Sequence, residues 1–331
     1  MAPWLTFSLS AVAVAVAGAR LATAGDKIGE GTGLGGLWVG ALLIAAVTSL
    51  PELATDVSAV FQRHPGLAVG DLFGSCMANM MILAVADLLT REQRMLSRVA
   101  VNQVLVGTLG ISLTLVAIIG VLVGGDVTIV GFGWPTLAIA FAYAASMRLI
   151  HHNRHGPPFQ APSEVSERVI PRREMQSAVV SFGVATVVIL VAAPYLASST
   201  SVVSQDLGIS EGFAGMVLLA VATSLPEAAV SYTSVRAGSY ALCVGNLLGS
   251  NCFNVAALVP LDLVHGSGSL LAAVDPSLAI GGLFACLLTA MAMIEVLNKS
   301  EHRIWVFELG PIVMLLTYIT GLVLTYRAGT L

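Results

Sequence analysis

Thr48-Ser49-Leu50-Pro51-Glu52 recurs 175 residues later as Thr223-Ser224-Leu225-Pro226-Glu227. Each copy lies inside a long apolar stretch. Each is followed by a second echo, Gly74-Ser75 with Asn79 and Gly249-Ser250 with Asn254. Aligned without gaps, residues 48–79 and 223–254 match at 14 of 32 positions. A carboxylate deep in an apolar segment is expensive in a membrane and marks a functional site. Two of them, in matching places of two half-chains, point to a binding site where the repeats meet.

Composition agrees with a membrane setting. Of the 331 residues, 56% are hydrophobic and only 10% charged, against about 25% charged in soluble proteins. The mean hydropathy is +0.89. Apolar stretches long enough to cross a bilayer recur along the chain. Cys76, Cys243, Cys252 and Cys286 lie in such stretches without metal-ligand spacing and read as small core residues.

The apolar segments predict an all-α polytopic membrane protein. Five spans fall in a first half, residues 1–147, at about 3–23, 37–61, 67–89, 98–123 and 127–147. Five more fall in a second half, 174–331, at about 175–198, 212–236, 240–263, 271–297 and 304–326. The pentapeptide repeats occupy about 37–89 and 212–263. The first segment lacks a basic start and reads as a retained helix rather than a signal peptide. Residues 24–36 read as a Gly-rich turn. Residues 148–173 hold several arginines, His151, His152, His155 and three prolines before Pro171, and read as a solvated linker between halves. An odd number of spans per half inserts the halves in opposite orientations, giving ten helices as two inverted five-helix repeats. With the linker in the cytoplasm of an inner (plasma) membrane, 13 of the 15 Lys and Arg residues fall inside and only Arg63 and Arg327 outside, with both termini outside.

The motifs have a direct physical reading. Pro51 and Pro226 cannot donate an N–H, so each frees carbonyls one turn back, near Val47 and Thr48 and near Ala222 and Thr223. In a membrane such carbonyls line a polar cavity or meet a cation. Glu, Thr and Ser beside each break all offer oxygen, the ligand of hard cations such as Ca²⁺, which takes about 6–8. Glu52, Glu227, the Thr48 and Thr223 carbonyls, Asn79 and Asn254 supply that number, and two carboxylates balance one divalent charge. Gly70, Gly74, Gly245 and Gly249 form small-xxx-small pairs. They are expected to seat segment three on segment two, and segment eight on segment seven. Ser75 shares a helix face with Asn79, as Ser250 does with Asn254.

Thr-Ser-Leu-Pro-Glu followed by Gly-x-x-x-Gly-Ser-x-x-x-Asn, in two copies, resembles the α-repeats of the calcium/cation antiporter superfamily, most closely its prokaryotic sodium/calcium exchangers. The resemblance spans both halves and implies ten helices, alternating access and a central Ca²⁺ site flanked by Na⁺ sites. It implies Ca²⁺ ligands at Glu52, Glu227 and the carbonyls of Thr48 and Thr223. It implies Na⁺ ligands at Ser49, Ser75, Ser224 and Ser250, with Asn79 and Asn254 at the centre. Asp71 stands where the family usually has Asn. It is either an added titratable group at the site or a locally paired one. Asp56, four residues after Glu52, is placed to face the same cavity. Asp87 and Asp262 are also related by the 175 offset and read as solvated helix ends.

These readings converge on a secondary antiporter, not an enzyme, exchanging Ca²⁺ for Na⁺. A H⁺/Ca²⁺ antiporter on the same fold is the alternative, and a cation channel or sensor a weaker one. The expected bound species are the transported Ca²⁺ and Na⁺ or H⁺, with no cofactor. The bilayer is the expected environment. Nothing in the sequence points to nucleic acid or to an obligate protein partner.

Overall fold

The computed structural model describes residues 2–31, 44–90, 95–96, 102–124, 127–129, 131–152, 171–266, 268–297 and 309–329. In chain order the helices are α1 (Ala2–Gly31), α2 (Leu50–Phe61), α3 (Pro65–Leu89), α4 (Asn102–Val123), α5 (Trp134–His152) and α6 (Arg172–Leu207). There follow α7 (Glu211–Thr223), α8 (Leu225–Arg236), α9 (Tyr240–Ala256), α10 (Leu258–His265), α11 (Leu278–Leu297) and α12 (Leu309–Ala328). A two-residue hairpin, β1 (Thr128–Ile129) and β2 (Phe132–Gly133), precedes α5. Seven helices among the described residues are long and apolar enough to cross a membrane, or eight if the bent pair α7 and α8 forms one span. This is a multi-pass membrane protein.

Several expected boundaries move. Residues 24–31 continue α1 and are not a turn; 32–43, which include the start of the expected second span, lie outside the described residues. The expected span 127–147 opens on the hairpin and turns helical only at Trp134, because Gly131 takes a left-handed φ of 83° between the strands. Its helix then continues to His152, into the expected linker. The core of that linker and the residues before Leu309 lie outside the described residues. α6 runs on to Leu207, beyond the expected end at 198. Its polar run stays helical because the hydroxyls bond back into the helix: Ser199 to the Tyr195 carbonyl (2.6 Å), Thr200 to Leu196 (2.7 Å) and Ser204 to Ser201 (2.7 Å). The expected span 240–263 is interrupted at Ala257.

Burial orders the helices into an inner and an outer set. The apolar windows of α3 and of the α9–α10 stretch are 72% and 67% buried, against 22% for α6 and 28% for α12. Hydrophobic side chains that stay exposed on α6, such as Val180, Val184, Val187 and Val191, therefore face lipid. α1 packs along α6, tied at one end by an ion pair from Lys27 to Glu174 (3.3 Å).

The glycines show how α3 reaches the centre. A methyl added at Gly70 would overlap the Gly212 carbonyl, and one at Gly74 the Met216 backbone. The reverse holds at Gly215, whose missing side chain makes room for the Leu67 carbonyl. α2 also packs on α3, but the Gly70/Gly74 face is turned to α7 in the other half of the chain, not to segment two as expected. Backbone-to-backbone contact is what small residues permit, and here it joins the halves. Gly18 of α1 plays a related part, lying against Pro51 and Pro226 together.

Asp87 and Asp262 are not solvated helix ends. Both are buried. Asp87 Oδ1 accepts the Leu96 N–H (3.3 Å). The Asp262 oxygens accept the N–H groups of Gly133 and Leu270, both at 2.7 Å. Each aspartate fastens the following loop by charge-assisted hydrogen bonds.

Gly74→Val should therefore unfold the protein in detergent at a clearly lower temperature than wild type, because the overlapped atoms are backbone and overpacking costs about 1–3 kcal/mol or more. Gly183→Val, on an open face of α6 with no neighbour within 4 Å, should stay within about 0.5 kcal/mol of wild type. Thermal unfolding followed by size-exclusion fluorescence compares the two.

Candidate cation site

Both pentapeptides break their helix in the same way. Ser49 takes φ −86°, ψ 7° and Ser224 φ −83°, ψ 6°. The Ser49 N–H bonds back to Ala45 (3.0 Å) and the Leu53 N–H to Ser49 (3.1 Å); Ser224 to Ala220 (3.0 Å) and Ala228 to Ser224 (3.1 Å) repeat the pattern. Between these bonds the ladder fails. Pro51 and Pro226 have no N–H. The N–H groups of Glu52 and Glu227 turn to their own carboxylates. The carbonyls of Thr48 and Thr223 thereby lose their usual helical partners. α7 and α8 meet at this break with a 44° bend.

The broken ends meet across the molecule. Ser49 Oγ donates to Glu227 Oε1 (3.1 Å) and Ser224 Oγ to Glu52 Oε1 (3.3 Å). Each serine of one copy serves the glutamate of the other. Ser250 Oγ also reaches Glu227 Oε1 (3.4 Å), and Ser224 Oγ lies 3.2 Å from Ser75 Oγ. Thr48 Oγ1 donates to Asn246 Oδ1 (3.4 Å), and Thr223 Oγ1 to Asp71 Oδ1 (3.3 Å); Asp71 and Asn246 hold matching positions 175 apart. Thr48, Ser49, Glu52, Asp71, Ser75, Asn79, Thr223, Ser224, Glu227, Ser250 and Asn254 are all buried. The chain thus brings together every site residue that the sequence singles out, Asp71 included.

The asparagines divide. Asn79 Nδ2 donates to Asn251 Oδ1 (2.9 Å), and Asn251 Nδ2 to the Cys76 carbonyl (3.3 Å). Asn251 is therefore a central residue that sequence reasoning passed over. Its signal was available, since it matches Cys76 at the 175 offset and the two touch. Asn254 makes no hydrogen bond with either side-chain atom.

What the site lacks decides its chemistry. Its unpartnered buried atoms include Glu52 Oε2, Glu227 Oε2, Asp71 Oδ2, Asn79 Oδ1 and Asn254 Oδ1, all acceptor oxygens. The two ion pairs found among the described side chains, Lys27 with Glu174 and His64 with Glu211, involve none of these residues. Buried carboxylates without a counter-charge are costly unless paired or bound to a metal. Among the described residues no three Asp, Glu, His or Cys side chains converge closely enough to hold a metal by themselves. A cation here must draw on hydroxyls, amides and the freed carbonyls as well. Beyond Glu227 a cavity of about 270 Å³ lies between Ala22, Thr23 and Asp26 of α1 and Val230, Thr233 and Ser234 of α8.

Comparison with known proteins matches this chain to the family described as sodium/calcium exchanger protein, over residues 2–148 and 177–327. The chain belongs to that family. The match places it in the calcium/cation antiporter superfamily, whose members are transporters and not enzymes. "Putative antiporter CaxA" of Alkalimonas amylolytica is 23% identical over 288 residues, 85% of this chain and 88% of the relative. "Sodium/calcium exchanger MaX1" of Methanosarcina acetivorans is 24% identical over 264 residues, 72% and 75%. Among solved structures, the "H+/Ca2+ Exchanger CAX" superposes with a TM-score of 0.67 at 14% identity, covering 99% of this chain and 89% of that one. The sodium-calcium exchanger NCX_Mj, soaked with Na⁺ and Ca²⁺, gives 0.61 at 20% identity and 98% of both chains. The family fold is shared along nearly the whole chain.

The two central asparagines should respond differently to truncation. Asn251→Ala strands the Asn79 amide and the Cys76 carbonyl and should cost about 1–3 kcal/mol of stability. Asn254→Ala removes no hydrogen bond and should cost less. Melting temperatures of the purified proteins without added divalent cation check the order.

Proposed function

We propose that the protein is a secondary antiporter that exchanges Ca²⁺ for Na⁺ by alternating access. The single observation that carries this reading is the cluster of buried, unpartnered oxygens on Glu52 and Glu227, set between two helix breaks of the same geometry. Ca²⁺ is held by the two glutamates and by the Thr48 and Thr223 carbonyls. Na⁺ uses Ser49, Ser75, Ser224 and Ser250 beside the same groups, with Asn79 and Asn254 central and Asp71 accessory. The bound ions are cargo, and no other cofactor takes part. The family and the names of the relatives support Ca²⁺ and Na⁺ as the exchanged pair.

The mechanism follows from charge. Two glutamates facing each other in a low dielectric repel and are poorly solvated. A divalent cation, or the ions that replace it, cancels that charge. Only the loaded site can be occluded cheaply as helices slide over it, so an empty transporter does not leak. The architecture that serves this is ten helices as two inverted five-helix halves, 1–147 and 174–331, with the pentapeptide repeats at about 37–89 and 212–263 and a cytoplasmic linker over 148–173. The basic residues favour a multi-pass inner-membrane protein with both termini outside. In that orientation the cavity beyond Glu227 lies on the cytoplasmic side and is the route by which the site is reached from within.

Proteoliposomes loaded with Na⁺ should accumulate ⁴⁵Ca²⁺ when diluted into Na⁺-free medium at constant pH. Glu52→Gln and Glu227→Gln should each reduce that uptake to the level of empty vesicles while remaining monodisperse. Full transport by either variant overturns the assignment of the site. Uptake that follows only an imposed pH gradient assigns proton coupling in place of sodium.

A further inference from the structure

The two pentapeptide repeats differ in charge at two positions of the site. Asp71 of the first repeat stands opposite Asn246 of the second, and Asp56 opposite Ser231. The first repeat thus carries two carboxylates beyond the matched pair Glu52 and Glu227, and the second carries none. Both extra acids are fully buried. The Asp56 carboxyl faces that of Asp71 across the contact of α2 with α3, with Glu52 further off.

Their hydrogen bonding is lopsided. Asp71 Oδ1 accepts from Ser75 (3.4 Å) and Thr223 (3.3 Å). Asp71 Oδ2 and both oxygens of Asp56 have no hydrogen-bond partner. Three carboxylate oxygens therefore converge, buried and without a donor. Two fixed charges in this setting cost several kcal/mol each unless something compensates them.

The position is also defined. α2 starts at the site and runs to Phe61, near which His64 meets Glu211 (2.8 Å) and Ser201 (3.4 Å). That is the end of α6 opposite Arg172, hence opposite the linker. Asp56 lies one helical turn from Glu52 in that direction. Ser231 lies one turn from Glu227 in the other direction, beside the cavity residues Val230, Thr233 and Ser234.

We propose that Asp56 and the free oxygen of Asp71 form a second cation seat, one turn from Glu52 on the side away from the linker, that takes a singly charged hard cation of the sodium class. Hard cations select carboxylate and hydroxyl oxygens. The three free oxygens, with the Ser75 and Thr223 hydroxyls nearby, fall short of the about 6–8 ligands that Ca²⁺ takes. A monovalent ion is the better match. The inference rests on the antiport reading above, which supplies Na⁺ as the coupling ion.

Equilibrium binding of ²²Na⁺ and of ⁴⁵Ca²⁺ to the purified full-length protein tests it. The variants are Asp56→Ser, the residue of the second repeat, and Asp56→Asn, which keeps the shape. Wild type should bind one more Na⁺ per chain at saturation than either variant, with the ⁴⁵Ca²⁺ count unchanged. The Na⁺ concentration that displaces half the bound ⁴⁵Ca²⁺ should rise about tenfold in the variants, the ratio expected for one lost charge-assisted contact. In Na⁺-free buffer the variants should melt no lower than wild type, since a purely structural aspartate would be missed there and an empty seat would not. An unchanged Na⁺ count in both variants overturns the seat, as does a pH-indicator signal showing that a proton occupies the pair at saturating Na⁺. Wild type that binds neither ion overturns the antiport reading itself.

Discussion

Everything in this molecule turns on keeping glutamate carboxylates in the interior of an apolar bundle. The penalty for an isolated buried charge is large, so the surroundings must be arranged to make it bearable. Ser49 and Ser224 each reach across to the glutamate of the opposite copy. Each glutamate keeps one oxygen bonded and the other free. Hydrogen bonds alone thus hold the side chains in place without satisfying them. The remaining demand is met by an ion that comes and goes, which is what a carrier needs and what a purely structural network would avoid.

Close packing serves the same end. The helix breaks must lie together, and no side chain can stand between the backbones that carry them. Gly70 and Gly74 admit α7 against α3, and Gly18 admits both prolines against α1. Gly18 is the more telling, because α1 is otherwise an outer helix packed along α6. One glycine lets that helix rest on both breaks at once. Motion of α1 over the site would then be felt by both halves together.

Much of this was legible in the sequence, for reasons that are physical. The pentapeptide is read correctly because proline and glutamate leave few options in an apolar segment. The cross-chain serine contacts follow once two such breaks must share one centre. Other features were hidden. Asp87 and Asp262 look like ordinary polar helix ends, and only the fold shows that loops return to bury them and donate N–H groups. The helical tail of α6 was hidden because its serines and threonines resemble a loop. The glycine pairs gave the right contact type and the wrong partner, since spacing along one helix carries no information about which neighbour fills the groove. Asn251 was overlooked because the family motif draws the eye to Asn254, three residues on.

The same limits explain why a symmetric motif does not make a symmetric site. Internal repetition constrains the backbone first: the breaks at Ser49 and Ser224 agree within a few degrees. Side chains around them are free to diverge as long as the total charge can be compensated by ions in transit. The chain has used that freedom in one direction only, placing Asp56 and Asp71 on one side of the glutamates and Ser231 and Asn246 on the other. An ion approaching from the side away from the linker meets four carboxylates, and one approaching from the cavity beside Ser231 meets neutral groups first. With matched breaks and unmatched charge, the two access routes of a single site differ in electrostatics while sharing their geometry.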